Sequence, residues 1–187
     1  MTQWQQKMII AVDIRGTEDY QHFIYETFKR ITTQYPEHSF IFIFDKPCDP
    51  SFIFSKNVIP EVVQQPKTSL LSKPGNANKI SSLLKKYKAD VFVTKQPLKT
   101  KVPQCLIVSG KLKPASLKKA KLIIADSEFS KKEIAENYKI AENKIVVVYK
   151  SVNGNYQPLS FEERERIKEQ YAEGNEYFLV NGITGYD

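Results

Sequence analysis

Cysteine and histidine are scarce in this chain of 187 residues, with two of each. Cys48 and Cys105 have no CxxC spacing and no histidine nearby. A disulfide framework is not expected, and both read as packing residues of a reducing compartment. Two histidines, His22 and His38, are too few for the usual metal centres, and no HExxH occurs, so no metal is expected. Glycine is also sparse, at seven residues. Neither GxGxxG nor GxxxxGKS/T is present, which disfavours a dinucleotide-binding or P-loop enzyme. No apolar run is long enough to cross a membrane. The opening MTQWQQKMII lacks the layout of a secretory signal, because the apolar run is short and Asp13 interrupts it. A soluble cytoplasmic protein is the expectation.

Acidic residues are nearly missing from one long stretch. The formal net charge is +7, and residues 62–125 hold fourteen lysines against one acid, Asp90. The plain reading is a solvated lysine-rich surface. The functional reading is a basic face that meets a phosphate-bearing substrate or an anionic membrane surface, which would place the protein peripherally at the inner membrane face. Nucleic acid is not an expected partner, since Tyr87 and Phe92 are the only aromatics in this stretch on which bases could stack.

What the chain does contain is a regular alternation of apolar runs and helical spacings. Residues 8–14 (MIIAVDI), 39–44, 57–63, 90–94, 104–109, 122–125 and 145–148 read as strands, the third weakened by Pro60. Residues 18–35 form a helix that Pro36 ends. Ile80, Leu83, Leu84 and Tyr87 keep helical spacing across residues 78–88, and a short lysine-rich helix is expected at 115–120. A further helix follows residue 128. Ser130 with Glu133 has the spacing of a capping box, and Phe129 with Ile134 that of a hydrophobic staple. Residues 160–171 (SFEERERIKEQY) form a polar helix capped by Ser160 and Glu163, and 176–180 (EYFLV) read as a strand. Strands alternating with helices predict an α/β, doubly wound, mainly parallel sheet.

Ligands of such a sheet gather at the carboxyl ends of its strands. Those ends supply the candidate site residues: Arg15, Gly16 and Thr17; Thr94 and Lys95; Ser109, Gly110 and Lys111; Ser127 and Glu128; and Lys150. Gly16 either serves the turn or lets a backbone approach a phosphate. Ser127 and Glu128 either cap a helix or belong to a site. No residue is singled out as catalytic.

The segment ADSEFSKKEI, residues 125–134, resembles the S-E-F-S-K segment of group 1 (family 4) glycosyltransferases. Residues 138–149 are similar to the Y-x-I-x-x-x-K-I-x-V-V-Y run that follows it in that family, and residues 86–92 to an earlier k-x-D-v-f. The resemblance implies the N-terminal, acceptor-binding half of a GT-B fold, Rossmann-like, over residues 1–158. Residues 159–187 would then begin a truncated donor-binding domain. It further implies a nucleotide-sugar donor for the complete enzyme, with no cofactor bound by this chain alone, and a glycan or lipid-linked acceptor. The strand at 176–180 would dock on the sheet edge or self-associate. The chain departs from the family pattern after the first strand, where only Gly16 remains of a glycine loop, and at Val108-Ser109-Gly110, where the family has His-Asp. These departures favour the alternative, a non-catalytic binding or scaffold module that kept the fold.

Overall fold

The computed structural model describes residues 7–63, 75–108, 114–149 and 158–179. The chain divides into two compact units, Met1–Ser151 and Val152–Asp187.

The first unit is a seven-stranded sheet. Its strands are β1 (Ile9–Asp13), β2 (Ser39–Phe44), β3 (Val58–Val62), β4 (Val91–Thr94), β5 (Gln104–Ile107), β6 (Leu122–Ala125) and β7 (Ile145–Val147). All neighbours run parallel, in the order β3-β2-β1-β4-β5-β6-β7. The fold is therefore the expected Rossmann-like, doubly wound α/β sheet. All seven strands read between residues 8 and 148 are present, and Pro60 is tolerated because β3 is an edge strand.

The helices are α1 (Glu18–Gln34), α2 (Gly75–Lys86), α3 (Pro114–Lys119) and α4 (Glu128–Tyr138). Successive strand residues point to opposite faces. Val12, Phe40, Phe42 and Val93 meet Phe23, Ile24 and Phe28 of α1. Ala11, Ile41, Ile43 and Phe92 meet Ile80 and Leu84 of α2 on the other face. Leu106, Ile123 and Ala125 carry Leu117 of α3 and Ile134 of α4. A near-continuous apolar strand such as IIAVD follows from this two-sided burial. The end of α1 has no glycine. Asn57 Nδ2 instead donates to the carbonyls of Thr32 and Tyr35 at 3.1 and 3.2 Å, which satisfies groups a helix end leaves open.

Two local expectations fail. The N-cap of α4 is Ser127, whose hydroxyl accepts from the Ser130 amide at 3.1 Å, so Ser130 lies inside the helix and does not cap it. Phe129 is consequently on the outer side of the first turn, 77% exposed, and makes no staple. Ser130 instead donates its own hydroxyl to Asp126 at 2.7 Å.

In the second unit, α5 (Phe161–Ala172) starts at the expected capping box of Ser160 and Glu163. Residues 176–179 form no strand, contrary to the apolar pattern of 176–180. A strand needs a hydrogen-bonded neighbour, and none pairs with these residues among the described ones; Phe178 and Leu179 are exposed. Val180 lies outside the described residues.

Candidate functional site

The strand order reverses between β1 and β4, which makes the carboxyl ends of these two strands the topological switch point, where open α/β sheets hold their ligands. Pairing of Val12 with Val93 sets Asp13 beside Thr94 at this end. Asp13 is 3% exposed. A buried carboxylate is tolerable only when paired and hydrogen-bonded. Arg15 supplies the pairing through Nε to Oδ1 at 2.7 Å and Nη2 to Oδ2 at 2.8 Å, and its backbone amide reaches Oδ1 at 3.2 Å. Thr94 donates its hydroxyl to Oδ2 at 3.2 Å. The hydrogen bonds that Arg15 donates to Asp13 raise the Arg15 pKa further, against the effect of burial, and the guanidinium stays charged.

Tyr20, from the first turn of α1, closes the cluster. Its hydroxyl donates to the Asp13 carbonyl at 2.8 Å. Burial, then the nearby Asp13 charge, pushes the phenol pKa up, so it remains protonated. Lys95 lies with Nζ 5.0 Å from the centre of the Tyr20 ring, a cation–π contact. Among the described residues Lys95 makes no ion pair. Gly16 is packed between them. A Cβ at this position would lie 2.8 Å from Tyr20 Cδ1 and 3.1 Å from Lys95 Nζ. Thr17 begins α1 without a side-chain cap, so the first amides of that helix are not engaged by its hydroxyl.

The structure thus brings Arg15, Gly16, Thr17, Thr94 and Lys95 to one place. Thr94 is fully buried and spends its hydroxyl on Asp13 and on the Gln96 backbone. Ser127 and Glu128 stand at the end of β6, two strands further along. There Ser130 donates to Asp126 at 2.7 Å and Ser127 to Ser130 at 2.9 Å, so Ser127 is a helix cap within a local hydroxyl network. Ser109, Gly110, Lys111 and Lys150 lie outside the described residues. Asp13 and Tyr20 were absent from the residues selected by strand-end position. The signal for Asp13 was in the sequence: a lone acid in an otherwise apolar strand requires a buried cation nearby.

The cluster is suited to electrostatic positioning and not to proton transfer. Asp13 has both oxygens engaged, and Arg15 is committed to it. Lys95 and the positive end of α1, where Thr17 makes no side-chain cap, favour an anion, with Glu18 of the first turn as the opposing charge. No group of three or more potential metal ligands is found among the described residues. No helix among them is long and apolar enough to cross a membrane.

No protein-family model matches the sequence, and no curated protein matches it. Solved structures do. A glycosyltransferase from Rickettsia africae matches with a TM-score of 0.61 at 21% identity, over 90% of this chain and 50% of that one. HepE of Anabaena, solved with UDP and glucose, matches at 0.53 and 15% identity, over 90% and 51%. MnaA of S. aureus, solved with UDP, matches at 0.56 and 13% identity, over 89% and 51%. This chain spans about half the length of each. The likeness is one of fold: a Rossmann-like α/β unit shared with part of these larger proteins.

Proposed function

We propose that this chain is the acceptor-side half of a GT-B glycosyltransferase of the group 1 type. It would hold a glycan or lipid-linked acceptor while a nucleotide-sugar donor binds to a second domain. The observation that carries this reading is the coincidence of two things: a parallel sheet aligned over half of a glycosyltransferase, and, at its switch point, a preassembled Asp13–Arg15 pair with the Lys95 ammonium beside it. Fold alone does not choose a reaction. The cluster adds chemistry: Lys95 and the start of α1 suit the phosphate of an anionic acceptor, and Asp13 and Arg15 fix the turn that presents them. The proposed domain limits are residues 1–158 for the acceptor side and 159–187 for the start of the donor side. Sugar transfer is not expected of this chain by itself. A cytoplasmic location at the inner membrane face fits a lipid-linked acceptor and the basic stretch.

The test is binding of glucose 1-phosphate, a phosphorylated-sugar surrogate, followed by amide shifts. Shifts should centre on residues 15–20 and 94–96, and Lys95→Gln should weaken binding about tenfold. Lys111→Gln should weaken it too. Unchanged affinity in both variants, or no shifts at residues 15–20 and 94–96, would overturn the placement.

A second reading is a non-catalytic binding module. It is supported by the saturation of Asp13, the acid buried at the switch point, and by Val108-Ser109-Gly110 in place of His-Asp. Transfer activity in a protein that joins this chain to a donor domain would exclude it.

A further inference from the structure

The opposite end of the sheet carries a different feature. Residues 95–103 lead from the carboxyl end of β4 to the amino end of β5. Their shape is fixed by Gln104, the first residue of β5. Its Nε2 donates to the Leu98 carbonyl at 2.8 Å, and its Oε1 accepts from the Leu98 amide at 2.8 Å. Thr100 Oγ1 accepts from the Val102 amide at 3.2 Å. Leu98 and Val102 pack inward beside Phe92 and Leu84. The loop is therefore held from both sides.

Between this loop and the last turn of α3 lies a hollow of about 350 Å³. Gln104 and the buried Leu106 line it, with Lys99, Lys101 and Lys119 exposed around it. No carboxylate and no aromatic ring lines it. Among the described residues these three lysines make no ion pair. The one acid of the basic stretch, Asp90, is engaged elsewhere, accepting from the Ile9 amide at 2.8 Å. Thr100 Oγ1 accepts one bond, and none of the described residues accepts its hydroxyl proton.

Three like charges around a concave, partly apolar surface focus a positive potential into it. Lysine binds phosphate as a point charge from flexible directions, and a hydroxyl donor adds orientation. A hollow without aromatics does not suit nucleobases. Leu98 and Val102 turn toward the core, and the exposed apolar residues of its lining, Pro97, Pro103 and Ala115, are too small to enter a lipid bilayer. We propose that this hollow is a second ligand site, distinct from the switch point, that takes a compact solute carrying phosphate or pyrophosphate.

Inorganic pyrophosphate is the probe, titrated into the full chain at physiological ionic strength and read by amide shifts and calorimetry. Saturable binding is expected, with one set of shifts at residues 98–104 and 115–121. Lys99→Gln/Lys101→Gln/Lys119→Gln should weaken it at least about tenfold. Lys131→Gln/Lys132→Gln/Lys144→Gln, which removes the same charge elsewhere, should change it by less than about twofold. Lys95→Gln should leave the shifts at residues 98–104 and 115–121 unaltered, which separates this site from the one at the switch point. Equal losses in both triple variants would reduce the effect to net charge and overturn the proposal. So would shifts only near Arg15 and Lys95, or no saturation. Vesicles of phosphatidylcholine with phosphatidylglycerol supply the last arm. Binding to them that needs the three lysines, without binding of pyrophosphate, would assign the patch to a membrane surface and overturn the solute site.

Discussion

The guanidinium of Arg15 forks onto the carboxylate of Asp13, a residue only two positions earlier, with both contacts under 3 Å. The pair turns the chain out of β1 and into α1. Both side chains are largely withdrawn from water, at 14% and 4% exposure, so each neutralises a charge that could not stand alone there. Asp13→Ala is expected to destabilise the fold by about 3 kcal/mol, because it strands the guanidinium. Arg15→Leu should cost a similar amount. Asp13→Leu/Arg15→Leu should cost clearly less than the two single losses combined. Urea unfolding of the four proteins measures this. Strict additivity would show that the two groups are not coupled.

The same pair marks where the sequence was legible and where it was not. Seven strands could be read because two-sided burial makes runs such as IIAVD and SFIFIF nearly continuously apolar. Strand-end position also named Arg15, Gly16 and Lys95. The partnership of Asp13 with Thr94 could not be read, since it joins residues 81 positions apart through the β1–β4 pairing. The strand expected at 176–180 shows the converse. Phe178 and Leu179 have the composition of a strand, but composition supplies no neighbour for the backbone to bond.

Gly16 is required for space. Tyr20 Cδ1 would lie 2.8 Å from a Cβ at this position, and that ring is clamped by burial and by its bond to the Asp13 carbonyl. Lys95 can swing away; the ring cannot. Gly16→Ala should therefore destabilise by about 1–3 kcal/mol. Tyr20→Phe, which only removes the hydroxyl bond, should cost about 1 kcal/mol. In a Tyr20→Leu background the Gly16→Ala penalty should shrink, and thermal unfolding across this cycle reads the coupling. A penalty that stays the same would mean the glycine serves something other than the ring.

The start of α4 offers a direct choice between two serines. Ser127 accepts from the Ser130 amide, the bond that closes the first turn. Ser130 donates its hydroxyl to Asp126. Ser127→Ala should cost about 1 kcal/mol, in the range of a lost N-cap, and Ser130→Ala measurably less. Denaturant midpoints of the two variants decide it. The reverse order would restore the capping box of Ser130 and Glu133.

Glu61 ties the edge strand β3 to the last turn of α2. Lys86 Nζ lies 2.7 Å from its Oε1, and the Tyr87 hydroxyl donates to the same oxygen. These hydrogen bonds, Lys86 first and Tyr87 second, hold the Glu61 carboxyl below its ordinary value of 4.5. A carboxyl whose pKa is lowered by folding adds stability that is fully present above its unfolded pKa. That stability is lost as pH falls through the lower folded value. Glu61→Gln should therefore lower the melting temperature modestly at neutral pH. The wild-type and variant curves should converge as the pH drops below about 4. Lys86 is well exposed, so added salt should also narrow the gap at neutral pH. Tyr87→Phe should remove only the hydroxyl's share and keep the acid dependence. Melting temperatures of the three proteins across acid and neutral pH test this, and a gap that persists in acid would mean that packing, not ionisation, is what Glu61 contributes.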